Sequence, residues 1–206
     1  ELKALQSQIN PHFLYNTLDS IIWMAEGRKY EEVVLMTASL ARLLRQSISN
    51  EDEVVPLARE VEYAKGYLTI QKMRYKDKLE FEIDVEPSIL NIPLIKLVLQ
   101  PIIENAIYHG LKYKESKGLL QVKGFMKDGN AVLQVIDNGV GMDEETLSHI
   151  YDKHKVNYHS NGVGVYNVQK RLKLYYGENY GITYESEKGV GTTATITIPG
   201  IQEESI

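Results

Sequence analysis

The sequence predicts an α+β protein: a helical hairpin, then a layer of helices on one face of a mostly antiparallel sheet. Three observations predict it. Apolar residues recur at helical spacing up to about residue 48. After Glu53, segments of period two alternate with segments of period 3.6. Three glycine-rich turns, DNGVGM at Asp137 to Met142, NGVGV at Asn161 to Val165 and GVGT at Gly189 to Thr192, punctuate the second part.

Each element follows from its local pattern. Residues 1 to about 26 form a first helix, and Gly27-Arg28-Lys29 breaks it. At about 100° per residue, Leu14, Leu18, Ile21 and Ala25 gather opposite His12, with Tyr15 and Ile22 at the margin, so that sector is the expected buried face. Asn16 and Asp19 return to within about 40° of His12 and form a polar stripe with it. Pro11 is either a kink or, after Asn10 as N-cap, the first-turn proline of a helix. A second helix, about Tyr30 to Ile48, carries Val33, Val34, Met36, Leu40, Leu43 and Leu44 at helical spacing. Two short helices joined by a tight turn bury little alone, so the expectation is pairing with a second copy into a four-helix bundle.

Beyond Glu53 come a short strand at Val54-Val55, a helix from Leu57 to about Lys76, and a strand from Leu79 to Val85 with Phe81, Ile83 and Val85 on one face. A helix from Pro93 to Leu111 follows. The strands Leu119 to Phe125 and Ala131 to Asp137 form a hairpin around Asp128-Gly129-Asn130. A helix near Val163 to Tyr176 and the strands Ile182 to Ser186 and Thr192 to Ile198 complete the chain. The expected boundary puts the hairpin in residues 1–50 and the sheet domain in 51–206.

Composition narrows the function. A formal charge of −5, with no Lys/Arg-rich block, argues against a nucleic-acid surface. The absence of cysteine excludes disulfides and thiolate metal sites and fits a reducing compartment. The greasiest run, Ile92 to Ile103, is interrupted by Lys96, Gln100 and Pro101, so no membrane span is expected. The chain starts at Glu1 inside a helical pattern, which suggests a piece of a longer protein.

The glycine-rich turns and one helix carry the chemistry. Asp137 at a strand end can accept hydrogen bonds from an exocyclic amine such as that of adenine. Gly139 and Gly141 allow close approach of a ligand. The Gly162/Gly164 turn opens a helix, where free N–H groups and the helix dipole suit phosphates. No GxxxxGKS/T or strand-to-helix GxGxxG occurs, so the pocket is neither a P-loop nor a Rossmann site. Asn105, His109 and Lys112 stand at i, i+4 and i+7, so an amide oxygen for Mg²⁺, an imidazole and an ammonium can face one ligand. Glu104 points about 100° away and is either structural or a proton acceptor.

Gln8 to Asn16, Leu99 to Gly110, Asp137 to Met142 and Gly162 to Leu172 occur in order at separations that resemble the cytoplasmic core of two-component sensor histidine kinases of the LytS and YesM type. The resemblance covers nearly the whole chain. It implies a helical-hairpin dimerisation and histidine-phosphotransfer domain followed by a Bergerat-type (GHKL) ATP-binding α/β sandwich, shared with gyrase, Hsp90 and MutL. It implies an ATP-dependent protein-histidine kinase in which His12 is the phosphoacceptor, Asn105 the Mg²⁺ ligand and Asp137 the adenine-reading carboxylate. Gly139 and Gly141 would shape the base pocket, Gly162 and Gly164 hold phosphates, and Gly191-Thr192 close the adenine side. The implied partners are a second copy through residues 1–50 and the receiver domain of a response regulator. The implied setting is the cytoplasmic side of a bacterial inner membrane, reached through segments outside this chain.

The chain also departs from the pattern. Phe13 stands where many sensor kinases have an acidic residue, which leaves the proton acceptor between Glu104, the favoured candidate, and Asp19. Pro101, four residues before Asn105, replaces the acid that hydrolytic relatives use to activate water. Tyr108 replaces a common lysine, for which Lys112 can substitute. Asn16 occupies the position that serves phosphatase activity in other sensor kinases. Residues 143 to 160, with Lys153, His154, Lys155 and His159, match the family's mobile lid over ATP. The tyrosines at 63, 67, 75, 166, 175 and 176 are expected in core or interface. Two other readings stay open: a nucleotide-binding signalling scaffold without phosphotransfer, and a GHKL-type ATPase.

Overall fold

The computed structural model describes residues 11–48, 53–151 and 162–200. Helices α1 (Pro11–Glu26) and α2 (Tyr30–Ile48) form the hairpin. Its turn is closed by the Gly27 and Lys29 N–H groups donating to the Trp23 and Met24 carbonyls, with Arg28 left-handed at φ +58 where glycine is more usual. Strand β1 (Val54–Pro56) leads into α3 (Leu57–Tyr75) and β2 (Leu79–Val85). Strand β3 (Pro93–Ile95) precedes α4 (Leu99–Asn105), which runs on as a π-helical turn, Ala106–Leu111. Strands β4 (Gly118–Lys127) and β5 (Asn130–Asp137), the short helix α5 (Glu144–Ser148), α6 (Gly162–Tyr176), and strands β6 (Gly181–Glu187) and β7 (Gly191–Pro199) complete the described fold.

The main sheet has the order β2-β4-β5-β7-β6, with β2 and β4 parallel and every other pair antiparallel. Lys127 pairs with Asn130, so the β4–β5 hairpin turns on Asp128 and Gly129, both at positive φ. One face of the sheet alternates inward through Leu120, Val122, Leu133, Val135, Ala194 and Ile196, all buried against α3, α4 and α6. The other face is polar, with Gln134 donating to Thr195 and Gln121 to Glu82. The α+β expectation holds.

Two local expectations do not. Residues 93–95 are a strand that pairs antiparallel with β1, and the helix begins only at Leu99. Glu60 of α3 explains the late start. Its carboxylate lies buried and accepts from the Leu97, Val98 and Leu99 N–H groups at 2.8, 2.9 and 3.0 Å, capping the helix from another element while Leu97 sits at φ +62. The buried face of α1 is also rotated from its expected position. Phe13, Thr17 and Met24 are buried and Leu14 and Ile21 are half-buried, whereas Leu18, Ile22 and Ala25 are exposed. Tyr15, Ile22 and Trp23 leave 67, 53 and 75% of their surface open. A helix apolar on nearly every side has two faces to cover, and one chain covers only one of them.

The core is continuous from the hairpin into the sheet domain. Phe13, Leu40 and Leu43 belong to the same buried cluster as Tyr67, Ile103 and Val135. Helix α3 is the shared wall, with Gly66 so close to Leu43 that a Cβ there would sit 3.4 Å from the leucine methyl. Of the six tyrosines expected inside, 63 and 67 are buried, 75, 166 and 176 are half-buried, and Tyr175 is 46% exposed.

Candidate functional site

Strand β5 delivers Asp137 to the edge of the helical layer. Its Oδ1 accepts from the Gly139 N–H at 2.8 Å, and the Thr192 backbone N–H, across the β5–β7 pair, also supports the carboxylate. Burial outweighs both and pushes the carboxyl up to about 6. Gly110, in the π-helical turn, presses against it: a Cβ at Gly110 would lie 2.7 Å from Asp137 Oδ1. A Cβ at Gly139 would overlap the Gly110 carbonyl, which accepts from Val140 N–H at 3.1 Å. The extra residue of a π turn is a frequent mark of functional sites, and here it brings Gly110 onto the carboxylate.

The DNGVGM turn is bound to the β6–β7 turn. Gly189 N–H donates to the Val140 carbonyl at 2.7 Å, and Met142 N–H to Ser186 Oγ at 2.8 Å. Gly141 (φ +63) and Gly191 (φ +144) lie so close to the Glu187 and Asp137 carbonyls that neither could carry a side chain. Ser186 Oγ lies 2.9 Å from Thr192 Oγ1. Lys114 Nζ donates to the Asn138 carbonyl, holding the start of the turn to the loop after the π helix.

On α4, the Asn105 Oδ1 is buried and has no hydrogen-bond partner. A buried amide oxygen left without a donor fits a cation such as Mg²⁺ or a ligand N–H. Among the described residues no three His, Asp or Glu side chains gather as a metal site. His109, exposed on one side, is held below its ordinary pKa by partial burial and by the neighbouring Lys112 ammonium. Lys112 is exposed and also lies over the Tyr113 ring. Gly164, in the first turn of α6, sits against Pro101 of α4, and Gly162 starts that helix.

Glu104 faces away from Asn105, toward α3. It accepts from Gln100 Nε2 at 2.8 Å, and burial raises its pKa. Tyr108 is on the same side, close enough to act on the Tyr67 and Tyr75 hydroxyls, and its own buried hydroxyl has no partner. It is therefore turned away from His109. On α1, His12 is exposed and the Asn16 amide nitrogen lies 3.0 Å from its Nε2 and 3.2 Å from its Nδ1, as a one-turn stripe requires. Asp19 is exposed on the same helix. Lys153, His154, Lys155 and His159 lie outside the described residues. A depression of about 480 Å³ is lined by Leu119, Ile136, Asp137, Asn138, Gly191 and Thr192.

The family model for histidine kinases matches residues 1–79, and that for histidine kinase-, DNA gyrase B- and HSP90-like ATPases matches residues 91–202. The chain belongs to the sensor histidine kinase family. It is 38% identical to sensor histidine kinase YesM of Bacillus subtilis over 97% of its own length and 33% of the relative's. It is 33% identical to sensor protein LytS of Oceanobacillus iheyensis over 87% of its length and 31% of that protein's. The chain thus spans about a third of the curated relatives it matches. In fold it resembles the histidine kinase domain of the Erythrobacter litoralis EL346 blue-light activated kinase, with TM-score 0.54 and 16% identity over 96% of this chain and 92% of that one. It also resembles the catalytic domain of histidine kinase ThkA, with TM-score 0.54 and 16% identity over 72% and 99%.

This histidine kinase-family fold brings Asp137, Gly139, Gly141, Gly191 and Thr192 into one cluster, as the sequence suggested, and adds Gly110, Lys114 and Ser186. Gly110 belonged to a recognisable motif. Lys114 and Ser186 had no sequence signal, because only the pairing of distant turns gives them partners.

Proposed function

We propose that this chain binds Mg-ATP, phosphorylates itself on His12 and passes the phosphoryl group to an aspartate in the receiver domain of a response regulator. The observation that carries the reading is the Asn105 Oδ1, a buried acceptor with no protein partner in the same helical layer as the Asp137 carboxylate. Asp137 would accept from the adenine amine, with the Gly139–Gly141 and Gly191-Thr192 turns around the base. His109, Lys112 and the Gly162/Gly164 helix start would face the phosphates. Mg²⁺, when bound, would neutralise charge on the transferred group.

The Asn16 amide lies within hydrogen-bond reach of both His12 ring nitrogens and would hold the ring between turnovers; the nitrogen that carries the lone pair, once released from that contact, would attack the γ-phosphorus. The ring proton would leave to Glu104, a carboxyl that burial holds above its ordinary range, rather than to Asp19. The exposed Tyr15, Leu18, Ile22, Trp23 and Val34 of the hairpin are the surface through which a second copy would complete a four-helix bundle. Among the described residues no helix is long and apolar enough to cross a membrane; attachment to an inner membrane would run through other segments.

Incubation with γ-labelled ATP tests the reading. Acid-labile label that disappears in His12→Gln is the expected result. Tight ATP binding with no label would establish a scaffold instead, and steady phosphate release without phosphoprotein an ATPase.

A further inference from the structure

The kinase reading leaves open whose nucleotide phosphorylates which His12. Phe13, the residue after it, does not point to solvent or to the face left for a second copy. Its ring is 3% exposed and lies 4.8 Å, centroid to centroid and tilted by 31°, from the ring of Tyr67 on α3 of the same chain. Tyr67 is in turn buried beside Glu104, whose charge acts on its hydroxyl, and Gln71 Nε2 donates to that hydroxyl at 2.7 Å. Gln100 holds Glu104 from the other side. Phe13 thus packs on Tyr67, and Tyr67 lies within electrostatic reach of Glu104, the residue before Asn105, all within one chain. Thr17, one turn on, is fully buried, with its hydroxyl on the Phe13 carbonyl at 2.7 Å, so the same face of α1 stays seated for a second turn. The face for a second copy is elsewhere: at about 100° per residue Leu18 and Ile22 lie about 140° and 180° from Phe13.

We propose that Phe13 is a positioning residue that seats each His12 helix on the ATP-binding unit of its own chain, so that phosphoryl transfer runs within a protomer. The inference rests on the kinase reading above. In the step it governs, a His12 nitrogen forms the N–P bond as the bridging O–P bond of ATP breaks. ADP leaves with the bonding pair, and the ring proton is finally released to water.

Two differently tagged heterodimers test it with γ-labelled ATP. In the first, one chain carries His12→Gln and the other Asp137→Asn. Transfer within a protomer leaves the Asp137→Asn chain with under a tenth of the wild-type label, whereas label near the wild-type level on that chain overturns the proposal. In the second, one chain carries both substitutions and the other is wild type. The expected result is full labelling of the wild-type chain, which excludes a dead dimer as the cause of the first result; its absence overturns the proposal. An unlabelled wild-type homodimer would overturn the kinase reading, and this inference with it. The seating role has its own readout: Phe13→Ala should slow labelling at least tenfold with ATP affinity within twofold of wild type, and Phe13→Leu should restore most of the rate. Equal losses of rate and affinity would overturn the positioning role.

Discussion

Asp137→Asn should make the folded protein more stable at pH 7 while removing its nucleotide binding. The carboxyl titrates near 3.8 when solvated and is pushed up to about 6 in the fold, chiefly by burial. Folding therefore favours the neutral acid. The group's contribution to stability is present in full below about 3.8 and is lost as pH rises through about 6, the reverse of an ion-paired carboxylate. By linkage the loss at pH 7 comes to about 3 kcal/mol. An amide gives up one of the two backbone donations to the carboxylate, worth about 1 kcal/mol, which leaves the variant ahead by about 2 kcal/mol. For a protein of this size that is a rise in Tm of roughly 4 to 8 °C. Near pH 4 the wild-type acid is neutral, so the order should reverse by about 1 kcal/mol. Thermal denaturation of both proteins from pH 4 to 7.5 reads the gap directly. A gap that does not change with pH, or a variant less stable at pH 7, would refute the reasoning. Calorimetry with adenosine, which has no phosphate to titrate, supplies the functional half. Wild-type affinity should weaken up to about tenfold between pH 7 and 5 as the acceptor is protonated.

Other perturbations should separate packing from ligand roles. Glu60→Ala orphans three N–H donors at the start of α4, two of them buried, and should destabilise the fold by about 3 kcal/mol or more in urea denaturation. Gly141→Ala must displace the Glu187 carbonyl and abandon φ +63, so it should lower Tm without any nucleotide present. Asn105→Ala removes an unpartnered acceptor and should leave Tm within about 2 °C, a change of no more than roughly 1 kcal/mol, while abolishing the Mg²⁺ dependence of ATP affinity. Asn16→Ala should impair dephosphorylation of the receiver domain more than autophosphorylation; equal losses in the two assays would exclude a separate role for the amide.

The order of elements and the turns around Asp137 were legible because each has a local cause: a period, a glycine at positive φ, a strand end. What stayed hidden depends on distant partners. Pro93-Leu94-Ile95 has the apolarity of a helix start and becomes a strand only because β1 pairs with it. The helix begins at Leu99 because Glu60, nearly forty residues earlier, caps it. The face of α1 was misplaced for a related reason. Periodicity finds one apolar sector, but this helix carries apolar groups toward α3 and on its outer side, and Thr17, a polar residue, is fully buried through its bond to Phe13. No pattern in the helix itself marks which sector its own chain covers.

The glycines of these turns have a structural cause of their own. Gly139, Gly141 and Gly191 stand in turns where a bare backbone lets a ligand approach. Each is already required by the protein's own backbone: the Gly110 carbonyl beside Gly139, the Glu187 carbonyl beside Gly141 and the Asp137 carbonyl beside Gly191 leave no room for a Cβ. Their identity is thus fixed by how two turns lock together, whether or not a nucleotide ever binds. What that locking delivers is a carboxylate held out of water with only part of its hydrogen-bonding capacity used, at a cost in stability that a matching ligand would offset. Asn105 is the complementary case, a buried acceptor with no internal partner to account for it. These two buried acceptors call for a ligand in a way that the glycines, already required by the fold, do not.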